Sequence, residues 1–514
     1  MTTSILHDEY TLDSTQVAHL RHWRNLAGLP DNDWSLMGSR ATGQDDFSSY
    51  RFQLAYMIYG AALVHRHRLP AAPGLFQPMI ESFMNKLLLP ETWLYWRDTS
   101  RGGAAFNAHL SEGYVEQWDP VVRDNIMFSA YVQSGALLHD YLFGSDKYAQ
   151  PGSLTFKHWT PLWGGDAKVA SYDRESLNDT IYWQMVRNGY LGVACEPNCI
   201  FQICNQPAIL GFRLHDLITG GSRADEVVEN YEKAWDDFGR LDENGHYNAM
   251  VLEDSHVVVP SNGTSADAWC GTVMNMWNRQ FVHDNYVRQI KDLITPQTDG
   301  TIAVRTTPKT FMGSPVDFNT SDFGWVAAWA SEMGDEHTRD GILAYVDKHM
   351  DRAYRDGGLY YPRNDNLYDD DGHYVEVDPI EGNVLYAYAR LNVADGLWKL
   401  YNEPWDAAHF RQPALTTVDK DIDVSHAHVT DGVLTTTLRR HPNVKGNGRV
   451  SVGRVLGNGN WRLTVDGVDV ARISETAITP SADNIVDVVD VRDGALVLTC
   501  PDDGPHTFVL TPLI

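Results

Sequence analysis

The feature that most constrains the fold is a change of residue pattern near Trp405. Upstream of it, apolar residues recur at the i, i+3, i+4 and i+7 spacing of a helix face, as in the run FSSYRFQLAYMIYGAALV over 47–64. Downstream, short runs of alternating apolar and polar residues are separated by NGN, DG and DDG turns. The sequence therefore predicts a mainly α-helical domain over 1–405 and a small all-β, sandwich-like accessory domain over 406–514.

The helical part is predicted to be a series of consecutive hairpins. Pro73 begins a second helix that ends before Pro90, and a third runs from about Asp119 to Gly144. Further helices are predicted over 177–189, 205–219, 224–238, 266–293, 323–332, 338–353 and 379–401. Gly- and Asp-rich joints between such helices are typical of an α/α toroid, a barrel of paired helices around a cavity, and an irregular helical bundle is the alternative.

Composition and charge limit the partners. The formal net charge of −27 argues against nucleic acid or an anionic membrane surface, since both repel an acidic protein. The longest apolar runs are too short to cross a bilayer, and the first residues lack the pattern of a signal peptide. We therefore expect a cytoplasmic protein without a membrane span. Five cysteines in 514 residues are sparse and odd in number, which favours reduced thiols over a disulfide framework.

Three of the five cysteines lie within the segment CEPNCIFQICN, residues 195–205. A zinc site with His215 as a fourth ligand is one interpretation, but the paired C-x-x-C spacing of structural zinc is missing. Inert burial is the ordinary state of a free cysteine. The functional interpretation is a pair of thiols facing one cavity, where a thiol acts as an acid and a thiolate as a base or nucleophile. Glu196 and Asn205 flank the pair and are candidates to tune it.

This segment resembles the cysteine segment of the linalool dehydratase/isomerase family, with its Cys-Glu-Pro start and a second Cys followed by Asn. The resemblance implies that the family's two cysteines match Cys195 and Cys204, and that Asp46 in QDDFSSYRFQLAYM matches its active-site Asp. It also implies an α/α six-hairpin barrel and a ring-like homo-oligomer. Two departures stand out: Tyr131, in RDNIMFSAYV, replaces the family's active-site His, and Phe52 replaces a Tyr.

The candidate site follows from these matches. We expect Cys195, Cys204 and Asp46 to be catalytic, with Cys199 a packing residue. Asp46 has an alternative role as a helix N-cap, because DDF precedes a helical run. A further set of side chains is expected to contact the substrate, although core packing is the alternative for each aromatic: Tyr131, Phe52, Phe201, Trp269 and Met127.

The leading function is a cofactor-independent lyase or isomerase that acts on a small apolar or amphipathic substrate, an isoprenoid or alkenol-type alcohol. We expect no metal and no cofactor. A cyclase for a larger terpenoid intermediate is an alternative, motivated by the loss of the His. A carbohydrate enzyme is another, with Asp254 paired with Glu376 or Glu381. The non-enzyme alternative is an inactive family member that serves as a carrier or an assembly subunit.

Overall fold

A computed structural model of the chain describes residues 10–39, 46–102, 107, 114–162, 165–308, 320–474, 478–481, 489–492, 495–502 and 504–513. Helices dominate as far as Asn402, and strands take over from Ala414. The predicted change from a mainly helical part to an all-β region is thus confirmed. The division of the chain into two domains at residue 405 stays a prediction.

The helices alternate with short loops through the first 402 residues. Their bounds are α1 (Ser14–Ala27), α2 (Tyr50–His67), α3 (Pro73–Leu87), α4 (Pro90–Trp93), α5 (Tyr95–Thr99), α6 (Ile126–Phe143), α7 (Arg174–Arg187), α8 (Gln202–Thr219), α9 (Arg223–Phe238), α10 (Ser265–Met274), α11 (Arg279–Leu293), α12 (Asp322–Glu332), α13 (Glu336–His349), a π-helix (Glu381–Leu385), α14 (Tyr386–Leu391) and α15 (Gly396–Asn402).

Six of these helices contact one another in a cycle. α2 lies against α6, α6 against α8, α8 against α10, α10 against α12, and α12 against α14, which returns to α2. Each of the first five also packs against the helix that follows it in sequence: α3, α7, α9, α11 or α13. The cycle helices are buried on nearly all sides, as in α6, whereas α9 keeps only a narrow buried face. Because antiparallel hairpins alternate direction, the cycle helices begin at one shared end, which we name the N-terminal mouth.

Two predicted helices are interrupted. The helix predicted over 266–293 is wrong as one element, because α10 ends at Met274 and α11 begins at Arg279. In the gap, the side-chain amide of Asn275 donates to Glu332 (2.9 Å) and to Asp395 (3.2 Å). The helix predicted over 379–401 is interrupted at 392–395, where the Asn392 amide also donates to Glu332 (2.9 Å). Both breaks are thus held by side chains that converge on one buried carboxylate.

Short strands connect the helices, and longer ones form the C-terminal region. The short strands are β1 (Leu154–His158), β2 (Lys168–Tyr172), β3 (Cys199–Phe201), β4 (Asn248–Leu252), β5 (Val258–Pro260), β6 (Ile294–Pro296), β7 (Ile302–Val304), β8 (Ala353–Arg355) and β9 (Gly358–Tyr360). The longer region contains β10 (Ala414–Val418), β11 (Ile422–Thr430), β12 (Val433–Arg440), β13 (Arg449–Gly453), β14 (Asn460–Val465), β15 (Val468–Ile473), β16 (Ile478–Pro480), β17 (Val489–Arg492), β18 (Ala495–Thr499) and β19 (Pro505–Leu513).

The C-terminal strands form two antiparallel sheets, in the orders β10-β13-β18-β17 and β11-β12-β19-β14-β15-β16. Backbone hydrogen bonds attach them to the helical part: the Ala71 N–H donates to Ala427 O (3.1 Å) and the Leu415 N–H to Ala71 O (2.8 Å). Arg21 on α1 pairs with Asp423 on β11 at 2.5 Å. The β region is therefore packed directly on the helices. Among the described helices, none has the length and apolar character needed to span a bilayer.

Candidate active site

The loop that carries Cys195 is clamped onto the first turn of α8. The side-chain oxygen Oδ1 of Asn205 accepts a hydrogen bond from the Val193 N–H (2.8 Å). Its side-chain nitrogen Nδ2 donates to the Val193 carbonyl oxygen (3.1 Å). Gly192 makes this possible, because a Cβ at that position would lie 2.7 Å from the Asn205 side chain. Asn205 thus fixes the position of Cys195, rather than facing the thiol.

The two predicted catalytic cysteines are neighbours. Both are buried, and their thiols hydrogen-bond, which lowers the pKa of Cys195 and raises that of Cys204. The Met127 N–H, in the first turn of α6, also donates to the Cys195 thiol. The Cys204 bond is the largest effect on Cys195, but burial and the negative charge of Glu196 together leave the pKa of Cys195 raised, while burial holds the pKa of Cys204 well above its usual value. Cys195 is therefore the more acidic of two thiols that are protonated at neutral pH.

A cation and a carboxyl group accompany Cys195. The Arg51 guanidinium, 5% exposed, lies over the rings of Tyr95 (3.9 Å) and Phe52 (4.4 Å). Its charge opposes the rise in the pKa of both Cys195 and Glu196. The Glu196 carboxyl hydrogen-bonds with the Cys195 thiol, and burial raises its pKa. The thiol thus has a proton acceptor beside it, and the positive charge of Arg51 favours loss of its proton.

Aromatic rings surround the pair. Tyr131 packs edge-on to Phe52 and Tyr56, with centroids 6.1 Å away in both cases, and Phe52 contacts Trp269 at 5.6 Å. The Trp269 indole N–H donates to the Tyr56 oxygen, and its ring stacks on Trp325 at 4.6 Å. Burial raises the pKa of Tyr131 well above its usual value, and the nearby Cys204 adds to the effect. Tyr131, the residue at the family's His position, thus lies beside the thiols as a neutral phenol.

Two other residues named in the sequence analysis, Phe201 and Cys199, lie in β3. Phe201 is partly buried in β3, and its carbonyl accepts the Asn205 amide (3.0 Å). Cys199 lies in the same strand, and burial raises its pKa to about 12, as suits a packing thiol. All five cysteines are free, and His215 is bonded to Glu175 (2.6 Å).

Asp46 lies on a second side of the mouth. Its side chain accepts the Ser48 N–H (3.1 Å), whereas the N-cap of α2 is Ser49, so the helix-cap alternative for Asp46 is wrong. Its negative charge contributes to raising the pKa of Asp378. Phe47, next to it in sequence, contacts the Trp269 ring at 5.7 Å. The structure thus places Asp46 with other carboxylates, next to the aromatic rings of Phe47 and Trp269.

Those carboxylates form a group that the sequence analysis missed, which we name the carboxyl cluster: Asp46, Asp322, Glu376, Asp378 and Glu381, each at most 4% exposed. Burial raises the pKa of Asp378 to about 6 and that of Glu381 well above its usual value. Glu381 Oε1 accepts the Gly324 N–H (3.0 Å) at the start of α12, and Asp378 accepts the Glu381 N–H (2.9 Å). Backbone N–H groups at helix starts therefore bond two buried carboxyl groups whose pKa values burial has raised.

Sequence reasoning missed several of these residues, but it had some signals. Tyr56 lies four residues after Phe52 in a helix, so both fall on one face. Arg51 is a charged residue in the first turn of α2, whose other charged or titratable basic residues all lie in its last turn. The carboxyl cluster had no such signal, because its members come from distant segments. Asp254, predicted as a partner of Glu376 or Glu381, is exposed in the β4–β5 turn, whereas both glutamates are buried.

Comparisons with known proteins give structural likeness at low identity. One match is an inactive variant of the alpha-1,6-mannanase GH76A of Salegentibacter sp. HEL1_6 in complex with alpha-1,6-mannotriose (10% identity, TM-score 0.38, 76% of this chain and 100% of that chain). Another is an unsaturated glucuronyl hydrolase specific for heparin (8% identity, TM-score 0.41, 76% and 97%). A third is a GH127 beta-L-arabinofuranosidase from Geobacillus Stearothermophilus T6 (11% identity, TM-score 0.31, 96% and 75%).

The sequence comparison is more specific. The matched region begins after Asp46, which it leaves out, contains both candidate catalytic cysteines and stops before the β region. It confirms the resemblance that the cysteine segment indicated. Since the model for linalool dehydratase/isomerase matches residues 51–367, more than half of the chain, this protein belongs to the linalool dehydratase/isomerase family.

Proposed function

We propose that the protein is a cofactor-independent lyase or isomerase that acts on an apolar isoprenoid or alkenol-type alcohol. The observation that carries the proposal is the hydrogen-bonded pair Cys195 and Cys204, buried beside aromatic rings. The two thiols differ in acidity, as an acid and a base in one reaction must. Membership of the linalool dehydratase/isomerase family supports the reaction class.

We assign the proton donor to Cys204 and the acceptor to Cys195. Cys204 protonates the departing hydroxyl, which leaves as water and produces an allylic cation. The thiolate of Cys195, formed by proton transfer to Glu196, then takes a proton from the adjacent carbon and yields an alkene. The proton on Glu196 returns to Cys204 through the hydrogen bonds of the pair. If water instead adds to the other end of the allyl cation and gives up a proton to the Cys204 thiolate, the product is an isomeric alcohol and the thiol is restored.

The aromatic residues have two roles in this proposal. The faces of Phe52 and Trp269 stabilise the cation and exclude water from it. The buried hydroxyl of Tyr131, which lies beside the Tyr56 phenol, donates to the substrate oxygen beside Cys204. Met127 and Phe201 border this space, and Asp46 offers a second proton acceptor on the side of the carboxyl cluster.

We further propose that the cycle of six helices is an α/α six-hairpin barrel with the substrate at its N-terminal mouth. The supporting observation is that α14 contacts α2, so the last cycle helix meets the first. The first residues of α2, α6 and α8 all contribute to the surroundings of the thiols. A substrate at the N-terminal mouth would therefore contact the first turns of these helices and the loops that precede them.

The experiment is turnover of monoterpenols and of longer isoprenoid alcohols by purified protein, with gas-chromatographic detection of alkenes, isomers and cyclic products. Cys195→Ala and Cys204→Ala should each lower turnover at least 100-fold, and Cys199→Ala serves as the matched control that keeps it. Cyclic products from long substrates alone would redirect the assignment to a cyclase. Full turnover in both cysteine variants would refute the thiol mechanism.

The carboxyl cluster favours a second candidate, a carbohydrate enzyme. Asp378 and Glu381 are adjacent carboxyl groups with raised pKa, and acid–base hydrolysis of glycosides uses such pairs. Release of nitrophenol from a panel of nitrophenyl glycosides measures this activity directly. Turnover that is abolished by Glu381→Gln and unaffected by Cys204→Ala would establish it in place of the alcohol chemistry.

A further inference from the structure

A cleft of about 550 Å³ lies between the helical part and the β region, and we name it the basal cleft. The end of α2 contributes His65 and Arg66, and the β region contributes His428 and Arg454. Arg51 and Arg66 are 15 residues apart on α2, about 22 Å at the helical rise. The basal cleft is therefore remote from the cysteine pair, and its size is that of a small-molecule site.

The charge of the basal cleft is opposite to that of the protein. Three permanent cations line it, Arg66, Lys399 and Arg454, against one exposed lining carboxylate, Glu403. Within the described part of the chain, none of the three cations has a carboxylate within ion-pair distance. The formal net charge of the whole chain is −27, so the local charge of the basal cleft differs from it in sign. The three cations mark a place where an anion is attracted rather than repelled.

The guanidinium groups are partly dehydrated and retain free donors. Arg66 donates to the Glu403 carbonyl (2.6 Å) and lies over the Trp405 ring at 5.3 Å, while its buried Nε–H has no partner among the described residues. Arg454 donates through Nη1 to the Gln412 carbonyl (3.1 Å). Burial lowers the pKa of both groups. Burial removes part of the water that would hydrate these guanidinium groups. A bound anion would replace that water through charge-assisted hydrogen bonds.

The positive charges of the cleft also act on the imidazole of His409. Burial lowers the pKa of His409 to about 4, and the charges of Arg454 and Arg66 add to the effect, partly offset by Asp406. The His409 ring stacks on Trp405 at 3.7 Å, and Phe410 meets Trp405 edge-on at 6.1 Å. Next to the cations the cleft thus offers flat, uncharged rings that suit an aromatic or apolar group.

We propose that the basal cleft binds an organic anion, a phosphate or carboxylate group joined to a flat or apolar moiety, between Arg66 of the helical part and Arg454 of the β region. The anionic group occupies the space between the guanidinium groups, and the remainder lies against Trp405. The β region thereby acquires a role, since it supplies one of the two guanidinium groups between which the anion lies.

Calorimetric titration of the full chain with pyrophosphate and with 8-anilinonaphthalene-1-sulfonate tests the proposal. We expect saturable binding of at least one probe, weakened at least tenfold in Arg66→Gln and in Arg454→Gln. The control is Arg439→Gln, an exposed arginine of β12 outside the cleft, which should bind as the original protein does. Unchanged melting temperatures of the ligand-free variants verify folding, and if Arg66→Gln melts early, Arg454→Gln alone decides.

Three results would overturn the proposal. These are the absence of saturable binding of both probes, equal binding by Arg454→Gln, and equal weakening in the control. Co-sedimentation with phosphatidylglycerol vesicles separates the sources of an anionic group. Sedimentation with vesicles and no response to soluble pyrophosphate would assign the cleft to a lipid surface and would also overturn it.

Discussion

The indole N–H of Trp269 donates a hydrogen bond to the phenol oxygen of Tyr56, and this bond joins α10 to α2 at the N-terminal mouth. Tyr56 lies near Cys204, whereas the Trp269 ring contacts Phe47, the neighbour of Asp46 in sequence. A single hydrogen bond therefore connects the thiol side of the mouth to the carboxyl side.

Tyr56→Phe removes the acceptor of this bond and leaves a buried indole N–H without a partner. We expect a loss of about 1–3 kcal/mol in the free energy of unfolding, the usual cost of an unsatisfied buried donor. Urea denaturation measures it. The control is Tyr354→Phe, because Tyr354 is 66% exposed and should tolerate the change. Equal stability of the two variants would contradict the role assigned to the bond.

Arg51→Gln should make Cys195 less reactive. The positive charge of Arg51 lowers the pKa of this thiol against the effect of burial, so its removal shifts the pKa higher. The measurement is the pH profile of iodoacetamide alkylation, read at the Cys195 peptide by mass spectrometry. The profile should shift to higher pH in the variant, and Arg97→Gln, at a partly exposed arginine, provides the comparison. A profile that does not move would separate Arg51 from the thiol.

Asp378→Asn should flatten the dependence of stability on pH. The folded protein holds the pKa of Asp378 at about 6, above the ordinary value of 3.8, so between these values the unfolded chain releases a proton that the folded chain retains. The contribution of this group to stability is complete below pH 3.8 and is lost as the pH rises to about 6. Asn cannot titrate, and it removes that loss.

Urea denaturation at pH 4.5 and pH 7.5 checks the expectation. The difference in unfolding free energy between the two pH values should be smaller in Asp378→Asn than in the original protein. Asp370→Asn, at an exposed position, should retain the full difference. If the unfolding free energy changed by the same amount between the two pH values in all three proteins, Asp378 would titrate normally.

Gly382→Ala should destabilise the fold by about 1–3 kcal/mol or more, since a Cβ there would lie 1.9 Å from the backbone oxygen of Tyr361. The backbone must move, and Glu381 in the same π-helix moves with it. Thermal denaturation measures the change. Gly38→Ala is the matched control, because its added Cβ would meet no atom within 4 Å. A variant as stable as the control would mean that the π-helix yields easily.

Hydrophobic periodicity predicted most helices to within a few residues, because the cycle helices bury long apolar runs. It missed the breaks at 275–278 and 392–395, whose cause is local polar bonding to a distant residue, Glu332. The sequence around 275–278 contains neither Pro nor Gly, the usual signals of a helix end. An asparagine that leaves a helix to bond a carboxylate elsewhere in the chain cannot be recognised before the partner is placed.

The candidate site divides in the same way. Cys195 and Cys204 were predicted from one short segment that includes both. The carboxyl cluster unites Asp46, Asp322 and Asp378, and only the meeting of helix N-termini brings them together. A single-segment motif can therefore be found in sequence, whereas an electrostatic group assembled from three distant segments requires the fold.

The strand order of the six-stranded sheet has a consequence for how this sheet forms during synthesis. β19 follows the other described strands of this sheet in sequence, yet it lies between β12 and β14 and pairs with both. During synthesis, β11–β12 and β14–β16 therefore emerge from the ribosome before β19, the strand that joins them in the sheet. A chain cleaved before Pro505 would lose the strand that joins β12 to β14, and this sheet would be divided into two separate parts.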